Sequence, residues 1–124
     1  MHKLIISLLV VLVFVSCQTQ EDERSKYRGT LANLVGTSKD AIDAKWESPE
    51  LLVVTVKQGS LKDKVKGKNP EGKDIYLDAA KLKAATFASF GAKKIGMPIC
   101  IKVVYPDGQE RAYQCSTDPP LASQ

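Results

Sequence analysis

Two cysteines, Cys100 and Cys115, bound the stretch CIKVVYPDGQERAYQC, whose pattern is typical of a β-hairpin. β-Branched residues alternate with others before the turn signal at residues 106–108, Pro-Asp-Gly, and polar strand-forming residues follow it. The stretch therefore predicts two antiparallel strands with one cysteine at the outer end of each.

The loop length determines which residues face each other across this hairpin. The proline of the turn has no N–H and cannot donate in a closing pair, so we expect a four-residue loop, 106–109, closed by Tyr105 and Glu110. Bonded and non-bonded pairs alternate outward from there, and the two cysteines then meet in a non-bonded pair, where side chains lie closest. This suits the β-carbon separation of about 3.8 Å that a disulfide requires. A type I turn with a bulge at Gly108 would instead shift Cys115 by one residue, and a free or metal-binding cysteine pair is the other alternative.

The N-terminal end of the chain carries a short apolar segment. Residues 4–15 contain only one polar residue, Ser7, and follow a positively charged start that includes Lys3. A membrane-spanning helix needs about 20 apolar residues, so the pattern indicates a secretory signal peptide. A buried N-terminal strand or helix is the alternative.

This segment ends in Phe14, Val15, Ser16 and Cys17, which resembles the lipobox of bacterial lipoproteins, with Phe in place of the usual Leu. The resemblance implies cleavage between Ser16 and Cys17 and a diacylglycerol on the Cys17 sulfur. In most Gram-negative bacteria it also implies an acyl chain, such as palmitate, on the new amine. Gln18 stands where an Asp tends to retain such proteins in the inner membrane, which favours the outer membrane.

Cleavage at this point would leave 108 of the 124 residues, enough for one small domain. We expect a signal peptide at residues 1–16, a lipidated N-terminus with a polar tether at 17–28, and a single domain at 29–124. The only histidine, His2, belongs to the removed segment, so the mature chain lacks the means for a Ser-His-Asp, Cys-His or His-ligated metal site. We therefore expect no catalytic residues, no metal and no cofactor, since an enzyme would have to work through carboxylates or a lysine alone.

Basic residues concentrate in residues 57–73, which carry a net charge of +4, compared with +3 for the whole mature chain. Within them Lys62, Lys64, Lys66 and Lys68 recur with the period of a β-strand, which places them on one face. This lysine strip is interpreted either as a site for an anionic lipid, a cell-wall polymer or an acidic protein, or as a solvated edge strand guarded by lysines. The pattern favours the second interpretation. Nucleic acid is not expected as a partner, because the strip lacks aromatic residues for base stacking.

Residues 78–91 predict the longer of two helices. Asp78 is a suitable N-cap, Gly91 is a suitable residue just past the end, and an apolar stripe runs between them. We assign Phe87 and Phe90, which belong to this stripe, to the core.

A shorter helix is predicted within residues 36–49, starting at Thr37 or Ser38. Four positions of this segment are similar to the helix-to-strand motif of the SmpA/OmlA (BamE-like) outer-membrane lipoproteins, although Glu47 replaces a Gly. They are Gly36, Ser38, Ile42 and Pro49. The resemblance implies helices packed on an antiparallel sheet and a role in outer-membrane protein assembly.

Together these patterns predict an α+β domain. We expect a small antiparallel sheet with one or two helices packed on one face and a C-terminal disulfide-closed hairpin. The function expected is a non-enzymatic binding or assembly module, anchored in the outer membrane through Cys17, facing the periplasm rather than the cell surface, and bound to an envelope protein. An exclusion or inhibitor lipoprotein, which blocks an incoming phage, conjugative system or hydrolase, is the alternative.

Substitution of Cys17 tests the lipid anchor. Cys17→Ala removes the sulfur that would carry the diacylglycerol, so the protein should leave the membrane fraction or remain unprocessed. Fractionation and mass spectrometry of the native protein measure both effects. An unmodified Cys17 with residues 1–16 still attached would contradict the prediction.

Overall fold

A computed structural model describes residues 22–119 and 121, which form an α+β domain. Helix α1 covers residues 22–36 and is followed by strands β1 (Ala41–Ser48) and β2 (Leu51–Val56). A hairpin of β3 (Lys64–Lys68) and β4 (Asp74–Asp78) leads into helix α2 (Ala79–Ile95). The last two strands, β5 (Cys100–Val104) and β6 (Glu110–Cys115), form a second hairpin.

Four strands form one mixed sheet in the order β1-β2-β5-β6, and β3 with β4 forms a separate two-stranded sheet. The α+β class and the disulfide-closed hairpin are thus confirmed. The large sheet differs from the expected one because β2 and β5 run parallel, while its other two pairings are antiparallel. Parallel pairing is available here because the connection from β2 to β5 contains a whole hairpin and a helix.

Both helices pack on one face of the four-stranded sheet. Alternate residues of β2 and β5 point to that face and are almost completely buried; they are Leu52, Val54, Val56, Ile101 and Val103. The facing side of α2 is made of small residues, since Ala80, Ala84 and Ala88 are fully buried there. Helix α1 adds Leu31 and Val35 to the same core.

The helix expected within residues 36–49 is not formed, and β1 occupies most of this segment. Thr37, a predicted helix start, instead lies at the end of α1, where its hydroxyl donates to the Leu34 carbonyl at 2.8 Å. Pairing with β2 and burial of Trp46 against the core outweigh the local preference for a helix. Ile42, which a helix would place beside Trp46, is exposed.

Residues 22–28 are also helical, although the sequence suggested a polar tether there. The Trp46 Nε1–H donates to the Arg28 carbonyl at 2.9 Å, and the Arg28 guanidinium lies 3.6 Å from the Met97 sulfur. These contacts hold α1 to the rest of the domain at Arg28. The rest of the expected tether, residues 17–21, lies outside the described residues.

Helix α2 begins where expected and ends later. The Asp78 carboxylate caps it by accepting hydrogen bonds from two N–H groups of the first turn. The helix continues past Gly91, and Gly96 ends it with a φ of 80°. Gly91 is buried where α1 crosses α2, and most of the other α2 residues that face the core are alanines. Phe87 is only partly buried, and Phe90, expected in the core, is 44% exposed.

The C-terminal hairpin has the predicted register at its cysteine end. Cys100 lies opposite Cys115 and forms a disulfide with it, and the pairs 101–114, 102–113 and 103–112 are also as predicted. The pair is non-bonded, as expected, because the Cys100 N–H donates to the Glu50 carbonyl and the Cys115 N–H to the Asp118 carboxylate.

The loop of this hairpin is different from the predicted one. The Tyr105 N–H donates to the Gln109 carbonyl and the Gly108 N–H to the Tyr105 carbonyl, both at 2.9 Å. With Gly108 at a φ of 91°, this is the type I turn with a glycine bulge, the alternative to the four-residue loop. Tyr105 therefore faces Gln109. A second bulge, at Arg111, adds one residue to β6 and cancels the shift, so the cysteines still meet.

The crossing of the two helices at Gly91 gives a prediction about stability. A Cβ atom at this position would overlap a Leu31 methyl carbon and lie 2.6 Å from an Ile99 methyl carbon. Gly91→Ala should therefore lower the free energy of unfolding by about 1–2 kcal/mol, because overpacking exceeds the gain in helix propensity.

Gly29→Ala in α1 is the matched control, because nothing lies within 4 Å of its added Cβ. It should raise the free energy of unfolding by up to about 1 kcal/mol. Urea unfolding followed by circular dichroism measures both variants. Equal stabilisation by the two substitutions would show that the helices do not cross closely at Gly91.

Candidate functional site

The lysine strip lies on the hairpin of β3 and β4. Lys64, Lys66 and Lys68 belong to one face of β3, as the period of two indicates, and Lys62 precedes the strand; all four are exposed. Their neighbours across the hairpin were not foreseen from the lysine pattern. They are Asp78, Tyr76 and Asp74, opposite Lys64, Lys66 and Lys68 in that order.

The Asp74 carboxylate neutralises the C-terminal half of the lysine strip. An Asp74 oxygen lies 3.4 Å from the Lys66 ammonium nitrogen, and the other lies 3.1 Å from that of Lys68. Lys62 and Lys64 have no such ion pair among the described residues. Exposed pairs contribute at most about 1 kcal/mol to stability, so their main effect is on the charge pattern. The positive charge available to a partner therefore lies around the start of β3.

An exposed aromatic side chain belongs to the same face. Tyr76 lies opposite Lys66 and is 66% exposed. Among the described strands β3 pairs only with β4, so its outer edge is open. Tyrosine is enriched in protein interfaces, and an open strand edge can accept hydrogen bonds from a partner. The hairpin therefore has the chemistry of a protein-binding surface with a positive charge.

Arg111 fixes the base of the hairpin to the four-stranded sheet. Its Nη2 donates to the Leu61 carbonyl at 2.8 Å and lies 3.3 Å from a carboxylate oxygen of Asp78. The hydroxyl of Tyr105, which directly follows β5, donates to the Ser60 carbonyl at 3.0 Å. These bonds join the loop before β3 to the turn end of the β5–β6 hairpin, and they orient the β3–β4 hairpin relative to the four-stranded sheet.

Asp78 joins this base to α2. Burial tends to raise the pKa of its carboxyl group, but hydrogen bonds from the Lys81 and Ala80 N–H groups and the charge of Arg111 outweigh burial, so the pKa is lowered. The ionised carboxylate is thus the form that the folded domain favours.

A second surface feature is a small groove between α1 and α2, which we call the helix groove. It has a volume of about 200 Å³ and is lined mainly by apolar atoms. Its walls include Lys26, Tyr27 and Leu34 from α1 and Phe90 and Lys94 from α2. The Lys94 nitrogen lies 5.8 Å from the centre of the Phe90 ring.

Sequence reasoning missed this groove for two reasons. The sequence pattern assigns Tyr27 to the polar tether and Phe90 to the core. The spacing of Tyr27, Leu31 and Leu34, which is helical, is the signal that would have extended α1 towards the N-terminus.

Several predicted features lie outside what the structure describes. Ser16 and Cys17 precede residue 22, so cleavage and lipidation stay predictions. Neither described helix is long and apolar enough to cross a membrane. Residues 22–119 and 121 contain no group of three or more side chains suited to hold a metal ion.

No protein-family model, curated protein or solved structure matches this chain. The resemblances to the lipobox and to the SmpA/OmlA (BamE-like) motif therefore remain predictions that rest on the residues quoted for them.

The lowered pKa of Asp78 predicts a pH-dependent contribution to stability. Because the folded-state pKa lies below the ordinary value of 3.8, the contribution is present above pH 3.8 and is lost as pH falls through the lowered pKa. Asp78→Asn keeps a capping oxygen but removes the charge beside Arg111. It should lower the free energy of unfolding at neutral pH by about 1 kcal/mol, and the deficit should shrink in acid.

Urea unfolding at neutral pH and at a pH below the lowered pKa of Asp78 measures this difference. Asp63→Asn, which removes an exposed carboxylate of the neighbouring loop, is the control and should have little effect at either pH. A deficit for Asp78→Asn that is the same at both pH values would show that its charge does not stabilise the fold.

Proposed function

We propose that this chain is a lipid-anchored lipoprotein of the bacterial outer membrane that acts in the periplasm as a non-enzymatic binding module. Its partner is an envelope protein with an acidic surface, which contacts the β3–β4 hairpin. The observation that carries the proposal is the exposed Tyr76 on the same face of the hairpin as Lys64, which, like Lys62, has no ion pair among the described residues.

The anchor is supported by the N-terminal sequence. An apolar segment of signal-peptide length ends in Ser16 and Cys17. Cys17 precedes residue 22, where the described helix begins, by only five residues. An anchor of two or more acyl chains holds a protein stably at a bilayer, so the folded domain would remain close to the membrane surface.

The partner is supported by the chemistry of the hairpin. Lys62 and Lys64 attract an acidic surface over a range of about 10 Å at 0.1 M salt, which speeds encounter with the partner. Tyr76 then supplies a large contact area with few rotatable bonds. The base fixed by Arg111 keeps this surface in one orientation, which reduces the entropy lost on binding.

Site-specific photo-crosslinking in cells tests the proposal. A photo-reactive amino acid replaces Tyr76, and in the control it replaces Tyr113, which is 46% exposed on the sheet face opposite the helices. Position 76 should give one discrete protein adduct, and position 113 should not. Mass spectrometry identifies the adduct, and the intact mass of the purified protein reports the lipid at Cys17.

Charge substitutions test the role of the lysines in the same assay. Lys62→Gln with Lys64→Gln should lower the yield of the adduct and its dependence on salt. Lys39→Gln with Lys45→Gln removes the same charge from two exposed positions outside the hairpin and should leave the yield unchanged.

The identity of the adduct separates the two classes of function. An envelope protein supports the binding or assembly module, whereas a phage, conjugative or secreted protein supports an exclusion or inhibitor lipoprotein. If position 76 gives no adduct while the protein is folded and lipidated, the hairpin is not the binding surface.

A further inference from the structure

The helix groove combines exposed apolar side chains with lysines at its rim. Tyr27 and Phe90 are each 44% exposed, and Leu34 is also exposed between them. Lys26 and Lys94 flank these side chains. Lysine stems lie along apolar surface while their ammonium groups reach polar surroundings. This composition is typical of protein surfaces that contact the headgroup layer of a membrane.

The lysines of the groove carry uncompensated charge. In the part of the chain that the structure describes, neither Lys26 nor Lys94 has an ion pair, in contrast to Lys66 and Lys68 of the hairpin. Helix α2 has four lysines and no acidic residue, and one of the two lysines in its last turn, Lys94, lines the groove. The surface complementary to this region is therefore anionic.

The groove also lies within reach of the lipid anchor proposed above. Residue 22 is five positions after Cys17, which corresponds to a span of at most about 18 Å when fully extended. Tyr27 lies about 7.5 Å further along α1. A lipid at Cys17 would therefore keep the groove within about 25 Å of the headgroups.

We infer that the helix groove docks on the anionic headgroup layer of the membrane that holds Cys17. The inference rests on the lipid anchor of the proposed function. In the docked state the rings of Tyr27 and Phe90 enter the headgroup region, and the ammonium groups of Lys26 and Lys94 contact lipid phosphates. Tyrosine suits this depth because its ring is apolar at one end and polar at the other.

The size of the groove favours a membrane over a protein as its occupant. The groove has a volume of only about 200 Å³, whereas a stable protein interface buries about 800 Å² on each partner, so a protein occupant would have to contact much more of the domain than the groove. A contact that a covalent anchor already holds nearby needs little affinity of its own.

Photo-crosslinking to lipid tests the inference. The purified, lipidated full-length mature protein carries the photo-reactive amino acid in place of Tyr27 or Tyr113 and is reconstituted in vesicles of phosphatidylethanolamine and phosphatidylglycerol. The two positions are 44% and 46% exposed, so they are matched in accessibility. Position 27 should give phospholipid adducts in severalfold higher yield than position 113, and position 90 should behave like position 27.

Changes in charge provide the second arm. Each basic residue near an anionic leaflet strengthens association roughly fivefold, so Lys26→Gln with Lys94→Gln should lower the lipid adduct at position 27 severalfold. Vesicles of phosphatidylcholine alone should lower it as well. Lys39→Gln with Lys45→Gln is the control of equal charge and should have no effect.

Other outcomes would overturn the inference. Equal lipid yields at positions 27 and 113, an adduct to a second copy of the chain, or an adduct to the protein's own acyl chains would each show a different occupant. The intact mass of the same sample reports the lipid at Cys17. A lipidated protein that does not crosslink at position 27 rejects the groove alone, whereas a protein without lipid rejects the proposed function.

Discussion

The parallel pairing of β2 with β5 determines where the rest of the chain lies. Parallel neighbours need a long crossover, and here the crossover contains the β3–β4 hairpin and α2. Helix α2 returns across the sheet on a face of alanines, and Gly91 leaves room for α1 to pack beside it. As a result the hairpin lies at the N-terminal end of α2, while the helix groove lies near its C-terminal end.

The bulge at Arg111 has two consequences. It restores the register that the turn at Gly108 would otherwise shift, so Cys100 meets Cys115. The bulged residue also leaves the regular ladder, and its guanidinium reaches Asp78 and the loop before β3. A single extra residue in β6 therefore determines the disulfide pairing at one end of the β5–β6 hairpin. At the other end it determines where the β3–β4 hairpin is attached.

Local chemistry explains which parts of the fold could be predicted. The cap at Asp78 and the lysine face of β3 follow from short-range rules, and both were found from the sequence. The cysteine pairing was also correct, although the loop was wrong, because two one-residue differences cancel. The segment with Trp46 was misassigned since long-range pairing with β2, which local signals do not contain, decided between helix and strand. The groove between α1 and α2 could not be predicted for the same reason, as it depends on the crossing at Gly91.

The two surfaces lie towards opposite ends of α2, because β4 leads into it at Ala79 whereas Phe90 and Lys94 of the groove lie about 16 to 23 Å further along its axis. No side chain belongs to both, so a partner on the hairpin leaves the helix groove free. In the proposed function they would nevertheless be coupled through the membrane. A domain held only by its lipid can rotate about the anchor, whereas a domain that is also docked by its groove presents Tyr76 and the lysines at a fixed angle. Docking would thus remove orientational freedom before the proposed partner arrives, and less entropy would be lost when that partner binds.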